Sequence, residues 1–174
     1  YAFQLTGDRY RDKTVAVLDI GAEGTTIAIL KAGELQFARE IATGGNDFTR
    51  ALMEPVAVEG KQFALSVEEA EAIKKKYGIP MGGGQEVTPA GLPLSRIMFI
   101  IRPVLERLST EALRSFDVYK AQGREKRVDT IFLCGGGAGF KNLAAFLSSG
   151  LGIDVSVMDP FAALPVPGHL QNDT

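Results

Sequence analysis

Histidine and cysteine are nearly missing from this chain, which has one of each, His169 and Cys134. A disulfide within the chain is therefore excluded, and the usual ligand sets of a zinc cluster are lacking. Ser-His-Asp chemistry has no support either, because the sole histidine lies in a polar C-terminal stretch. The single thiol fits a reducing compartment. An excess of basic charge is also missing: 19 Lys and Arg stand against 21 Asp and Glu, a net charge of −2, with the signs interspersed. That balance gives no broad basic face for nucleic acid. Long apolar runs are absent as well. The longest burst, IMFII at 97–101, lies between Arg96 and Arg102, far short of the roughly 20 residues that span a bilayer. No basic-then-apolar leader occurs. A phosphate-binding P-loop is excluded too, because Lys141 follows Phe140 rather than glycine.

What is present is a globular composition. With 45% hydrophobic residues in 174, the chain can close one sizeable core or two small ones in contact. Its 20 glycines exceed the ordinary share of about 7%. Several cluster at 44 and 45, at 82 to 84 and at 135 to 139, where the backbone must approach something closely or turn sharply. The chain opens on Tyr1, and it is expected to be a fragment of a longer polypeptide.

Along the chain, Val15 to Ile20 reads as a buried strand, broken by Gly21 to Gly24. Thr25 to Leu30 and Leu35 to Ile41 follow as further strands around a Gly33 turn, a three-stranded meander. Asn46 or Asp47 is expected to cap a short helix limited by Pro55. Ser66 and Glu69 form a capping box, and Val67, Ala70, Ile73 and Tyr77 share one stripe of a helix that ends at Gly78. Residues 80–93 are rich in glycine and proline and read as a mobile loop. A long helix then carries Leu94, Ile97, Met98, Ile101, Leu105, Leu108, Ala112, Phe116 and Tyr119 on one face, with a kink expected at Pro103 and an end at GREK. Asp129 to Cys134 reads as a strand, GGGAG as a turn, Phe140 to Ser149 as a helix and Val155 to Met158 as a last strand. Strand, glycine turn, helix and strand make an α/β unit. Residues 1–13 and 165–174 are expected to be flexible ends.

Two glycine turns carry candidate chemistry. In DIGAEGTT an acid, Asp19, ends one strand and a glycine turn leads straight into the next. Such a hairpin can aim backbone N–H groups into one concavity and cradle phosphate, with the carboxylate holding Mg²⁺ through water. An ordinary hairpin whose acid bonds its own turn fits the spacing equally well. In FLCGGGAGFKNL, Gly135 and Gly137 match the start of a dinucleotide fingerprint, but Phe140 stands where the third glycine belongs. Asp154 precedes the last strand and Asp159 follows it, so the acidic partner of that motif is misplaced. The run lets the backbone lie against a planar ligand or a tightly packed neighbour. Lys74, Lys75 and Lys76 read as a solvated helix face, and Cys134 as a small core residue.

The order of these motifs resembles the actin-like ATPases, with DIGAEGTT similar to their phosphate-2 motif and the Gly135 run similar to their adenosine motif. The stretch from LDIGAEGTT to GGNDFTRAL is similar to FtsA and PilM. VLERLSTEALRSFDVY resembles a helix typical of PilM, the type IV pilus assembly family, and the closing DVSVMDPF completes that likeness. The resemblance covers residues 14 to 164. It implies an α/β fold that is one half of an RNase H-like actin fold, with a mixed sheet and packed helices. The core, IIA-like subdomain would comprise 14–45 and 94–164, and a smaller IIB-like insertion 46–93. It further implies that Asp19 approaches Mg²⁺, that Gly21, Ala22, Glu23, Gly24 and Thr25 line the phosphates of ATP, that Gly135, Gly136 and Gly137 lie against the adenosine, and that Glu71 and Lys74 reach the ribose or adenine. Glu23 departs from the small residue usual in active relatives and brings negative charge toward the phosphates, which favours binding over hydrolysis.

The function expected from the resemblance is that of an ATP-binding assembly protein of the pilus platform, cytoplasmic and peripheral at the inner membrane. Its partners would be the cytoplasmic tail of a PilN-like membrane protein and other platform components, and a homo-oligomer is compatible with it. At most a slow ATPase is expected at full length, with weak or no binding of ATP and Mg²⁺ by the fragment. The competing readings are a nucleotide-free scaffold in a pilus or type II secretion machine and a small-molecule kinase.

Overall fold

Alternation of apolar residues draws Thr14–Ile20, Thr25–Lys31 and Glu34–Ile41 into strands β1, β2 and β3. They form the expected meander in a computed structural model that describes residue 10 and residues 12–81, 86–122 and 127–158. Ala32 and Gly33, both with positive φ, turn β2 into β3. The remaining elements are α1 (Gly45–Met53), β4 (Val56–Val58), β5 (Lys61–Phe63), α2 (Val67–Tyr77), α3 (Leu94–Ala121), β6 (Thr130–Cys134), α4 (Leu143–Leu151) and β7 (Asp154–Val157).

Five strands make one mixed sheet in the order β3-β2-β1-β6-β7. β1 pairs antiparallel with β2 and parallel with β6, and β7 lies parallel to β6 after the α4 crossover. β1 is thus central, and Ala16, Leu18 and Ile20 on one of its faces are buried in the core. The register sets Asp19 opposite Thr26 on one side and Cys134 on the other, at the same end of the sheet.

The long helix α3 follows its apolar stripe, burying Ile97, Ile101, Leu105, Leu108, Ala112, Phe116 and Tyr119, while Leu94 and Met98 pack more loosely at its start. It runs through Pro103 as a single element. Arg39 of β3 pins its outer side through Glu111 at 2.9 Å. The capping box of α2 forms as expected, with Ser66 and Glu69 bonding each other's backbone. Ala70 and Ile73 are buried, but Val67 faces outward at 48% exposure, because the first turn projects beyond the core.

Other expectations shift. The cap of α1 is Gly44 rather than Asn46 or Asp47, since Asp47 sits in the first turn and accepts the Gly44 N–H from there at 2.8 Å. β4 and β5 form an unexpected two-stranded hairpin around Glu59 and Gly60, both with positive φ. The GGGAG turn is a 3-10 helix over Gly136–Gly139, which delays α4 to Leu143. β7 begins at Asp154, one residue before the expected start. Of the 80–93 loop, residues 86–93 double back so that Val87 bridges Pro93, and 82–85 lie outside the described residues. So do GREK, the first nine residues, and the tail with Asp159 and His169. No helix among the described residues is long and apolar enough to cross a membrane.

Candidate functional site

The hairpin turn after β1 closes on itself through the Gly21 N–H donating to the Gly24 carbonyl at 2.9 Å. Its outward carbonyls then dock on α1: Gly45 N–H donates to Gly21 O at 2.9 Å and Asn46 N–H to Ala22 O at 2.8 Å. The first N–H groups of a helix lack partners within it, and here the hairpin supplies them. Asp47 adds its charge to the same helix end. Burial raises the Asp47 pKa, but the Gly44 bond and the bond and charge of Arg50, with the charge of Arg107, hold it below its ordinary value. Glu23, at the tip of the turn, is exposed, and its carboxylate accepts from Asn46 Nδ2 at 2.5 Å. Thr25 is buried, and its hydroxyl donates to the Thr43 carbonyl at 2.7 Å.

Across the sheet, β6 delivers the second glycine turn onto the end of β1. Gly135 has φ +79°, and a Cβ there would lie 2.2 Å from Asp19 Oδ1 and 2.7 Å from the Ile20 carbonyl. Gly137 is pressed equally closely on the Ile20 side chain. At these two positions the lack of a side chain answers to packing of turn on strand. Gly136 differs: nothing lies within 4 Å of a Cβ built on it. Cys134 is half-buried, and burial together with the Asp19 charge pushes its thiol up, so it stays protonated and fits a packing role.

The third component is α2, whose one-turn spacing puts Glu71, Lys74 and Lys75 on one side. Lys74 Nζ donates to the Gly45 carbonyl at 3.1 Å, to Thr49 Oγ1 at 2.9 Å and to Glu71 Oε1 at 2.5 Å. Thr49 Oγ1 also bonds Glu71. Burial raises the Glu71 pKa, but the bonds from Lys74 and Thr49 and the charges of Lys74 and Lys75 outweigh it and hold the carboxyl below its ordinary value.

These three parts enclose a cavity of about 390 Å³. Ile20, Gly21, Ala22, Gly45, Asn46 and Phe48 line it from the hairpin and α1, and Glu71, Lys74 and Lys75 from α2. Gly136, Gly137, Gly139, Phe140 and Leu143 form the wall after β6. Of the residues singled out in the sequence, Gly21, Ala22, Glu71, Lys74, Gly136 and Gly137 meet at this one cavity. Asp19, Glu23, Gly24, Thr25 and Gly135 are not in its lining. Asp19 is exposed at the adjoining end of β1, and Glu23 is joined to the lining through Asn46.

Sequence reasoning missed Asn46, Phe48, Lys75 and Phe140. Lys75 lies four residues beyond Glu71, a spacing that would have moved it from a solvated face to the cavity. Phe48 and Phe140 meet across the cavity with ring centroids 5.0 Å apart, a pairing that has no local signature. No group of three or more His, Cys, Asp or Glu side chains suited to a metal occurs among the described residues.

Comparison with known proteins follows the same outline. The family described as type IV pilus assembly protein PilM matches residues 2–173. Among solved structures, a PilM-PilN type IV pilus biogenesis complex superposes with a TM-score of 0.70 and 28% identity, over 93% of this chain and 41% of that one. MreB5 of Spiroplasma citri bound to AMPPNP gives 0.68 at 17% identity, over 90% and 52%. The ethanolamine utilization protein EutJ from Carboxydothermus hydrogenoformans gives 0.59 at 23%, over 93% and 49%. The last two likenesses concern the fold, which is that of the actin-like proteins. The chain spans between 41% and 52% of the length of these three.

Proposed function

The chain belongs to the type IV pilus assembly protein PilM family, and on that premise we propose that it is the second half of an actin-like assembly protein whose ATP state biases its hold on pilus partners. The observation that carries this reading is the convergence of the phosphate-type hairpin, the open Gly136 backbone and the Glu71–Lys74 pair on one cavity. Within the reading, residues 14–45 with 94–164 form the IIA-like core and 46–93 the IIB-like insertion, and α2 covers the nucleotide from the insertion.

The donor set suits ATP with Mg²⁺. Asp19 is an exposed carboxylate at the end of β1, and Mg²⁺ bound with phosphate needs only one or two carboxylates beside its waters. When bound, Mg²⁺ would neutralise phosphate charge. The backbone of Gly21 and Ala22 would face the phosphates, joined by Glu23 and Gly24 at the tip. Thr25 would hold the hairpin in shape, since its hydroxyl is engaged with Thr43. Gly136 offers a bare backbone to the adenosine, while Gly135 and Gly137 seat that turn on β1. Glu71 and Lys74 would address the ribose or the base.

The partners we propose are the cytoplasmic tail of a PilN-like inner-membrane protein and other platform components, which would place the protein at the cytoplasmic side of the inner membrane. Calorimetry of the full-length protein with ATP and Mg²⁺ tests the nucleotide part. Binding that is lost or weakened in Asp19→Ala is expected, and no binding by either protein would refute it. A pull-down with the membrane partner's tail, with and without ATP, tests the bias.

A second reading, a scaffold that uses the actin-like fold without nucleotide, has one observation of its own. Lys74 and Glu71 bond each other and Thr49, so their charges are matched within the protein. Equal partner affinity with and without ATP would favour it.

A further inference from the structure

We propose that Asn142, the residue before α4, is a positioning residue for the cavity: it latches the C-terminal end of α2 and so sets the gap between the Glu71–Lys74 wall and the glycine wall. This rests on the nucleotide reading above.

After Tyr77 the chain turns at Gly78, with φ +59°, so close to Lys141 that a Cβ would lie 2.5 Å from the Lys141 Cβ. The next residue, Ile79, is fully buried. Its N–H donates to the Lys141 carbonyl at 3.0 Å, and its carbonyl accepts from Asn142 Nδ2 at 2.7 Å. Lys141 Nζ donates to the Lys76 carbonyl at 2.9 Å, one of the α2 terminal carbonyls that have no partner within the helix. Three hydrogen bonds thus join the end of α2 to two adjacent residues.

Asn142 itself is left-handed, with φ 66° and ψ 3°, a conformation asparagine tolerates better than most side chains. Its neighbours Phe140 and Leu143 line the cavity. α2 is therefore held at two points, to α1 through Lys74 and to the glycine wall through Lys141 and Asn142. The second point acts on the gap into which a base would fit.

Asn142→Gly in the full-length protein keeps the left-handed backbone and removes the amide donor. Loss of such a bond is expected to weaken ATP about tenfold. UTP, whose smaller base depends less on the gap, should weaken less than about twofold, so the preference for ATP falls. Without nucleotide, amides of 71–79 should exchange with deuterium faster in the variant, and those of β1 and β6 at the original rate. Unchanged exchange over 71–79 would overturn the latch. Faster exchange with unchanged ATP affinity, or equal losses for ATP and UTP, would overturn the positioning role. If the unmutated protein binds no nucleotide, the functional reading and the positioning role both fall, and the exchange result alone decides the latch.

Discussion

Gly135 and Gly136 stand side by side, but one is constrained by the protein and the other is open. Gly135 combines a positive φ with Asp19 and Ile20 at van der Waals overlap for any Cβ. Gly135→Ala is therefore expected to lower stability by about 2–3 kcal/mol, read as a lower urea midpoint. Gly136→Ala has free space and should change stability by less than about 0.5 kcal/mol. It should nonetheless weaken ATP binding by the full-length protein about tenfold, because the methyl group enters the cavity. Loss of stability without loss of binding in Gly136→Ala would contradict that assignment.

Glu71 and Asp47 make a second prediction at this scale. Both carboxyls are held below their ordinary values of 4.5 and 3.8, so below those values the unfolded chain binds more protons than the folded one. The stabilisation is complete above the ordinary values and is lost as pH falls through the lower, folded ones. Urea unfolding should show stability dropping as the pH is lowered through and below this range, with a shallower drop in Glu71→Gln. A pH-independent midpoint across this range would contradict the pairing of Glu71 with Lys74 and Thr49.

Among the elements, α2 is the one whose sequence specifies it most fully. Ser66 and Glu69 cap it, its apolar stripe faces inward from Ala70 onward, and Gly78 ends it. Ser66→Ala should cost about 1 kcal/mol, with the urea m-value unchanged, since no additional surface is exposed. The start of α1 was less legible, because an aspartate can serve as the cap or, as Asp47 does, bond the cap from the first turn. The β4–β5 hairpin is not legible in the sequence because three-residue strands show almost no alternation, and its clear signal is the Glu59-Gly60 turn. The meander and α3 were legible because long alternating or 3.6-periodic runs fix which face is buried. Within the site, the two glycine turns were readable locally, whereas Glu71 and Lys74 came only from the resemblance, since a run of three lysines by itself reads as a solvated face. The Phe48–Phe140 contact and the bond from Asn46 to Glu23 were not legible, because they join residues that only the tertiary fold brings together.

For the whole molecule, the cavity's volume of about 390 Å³ lies near the low end of the roughly 300–1,000 Å³ usual for small-molecule sites. In the proposed reading, the remaining contacts to ATP come from the other half of the fold, since this chain spans 41% of the matched chain in the PilM-PilN complex. The chain alone is therefore expected to bind ATP weakly or not at all, and micromolar affinity in calorimetry would refute the division of the site between halves.

The docking of the Gly21 and Ala22 carbonyls on Gly45 and Asn46 makes the start of α1 depend on the hairpin. A shift of the tip would leave the Gly45 and Asn46 N–H groups without the partners that the helix itself cannot supply. Asp47, in the same first turn, lies 3.9 Å from Arg107, so the hairpin tip, α1 and α3 converge within one turn of helix and share one small region of charge.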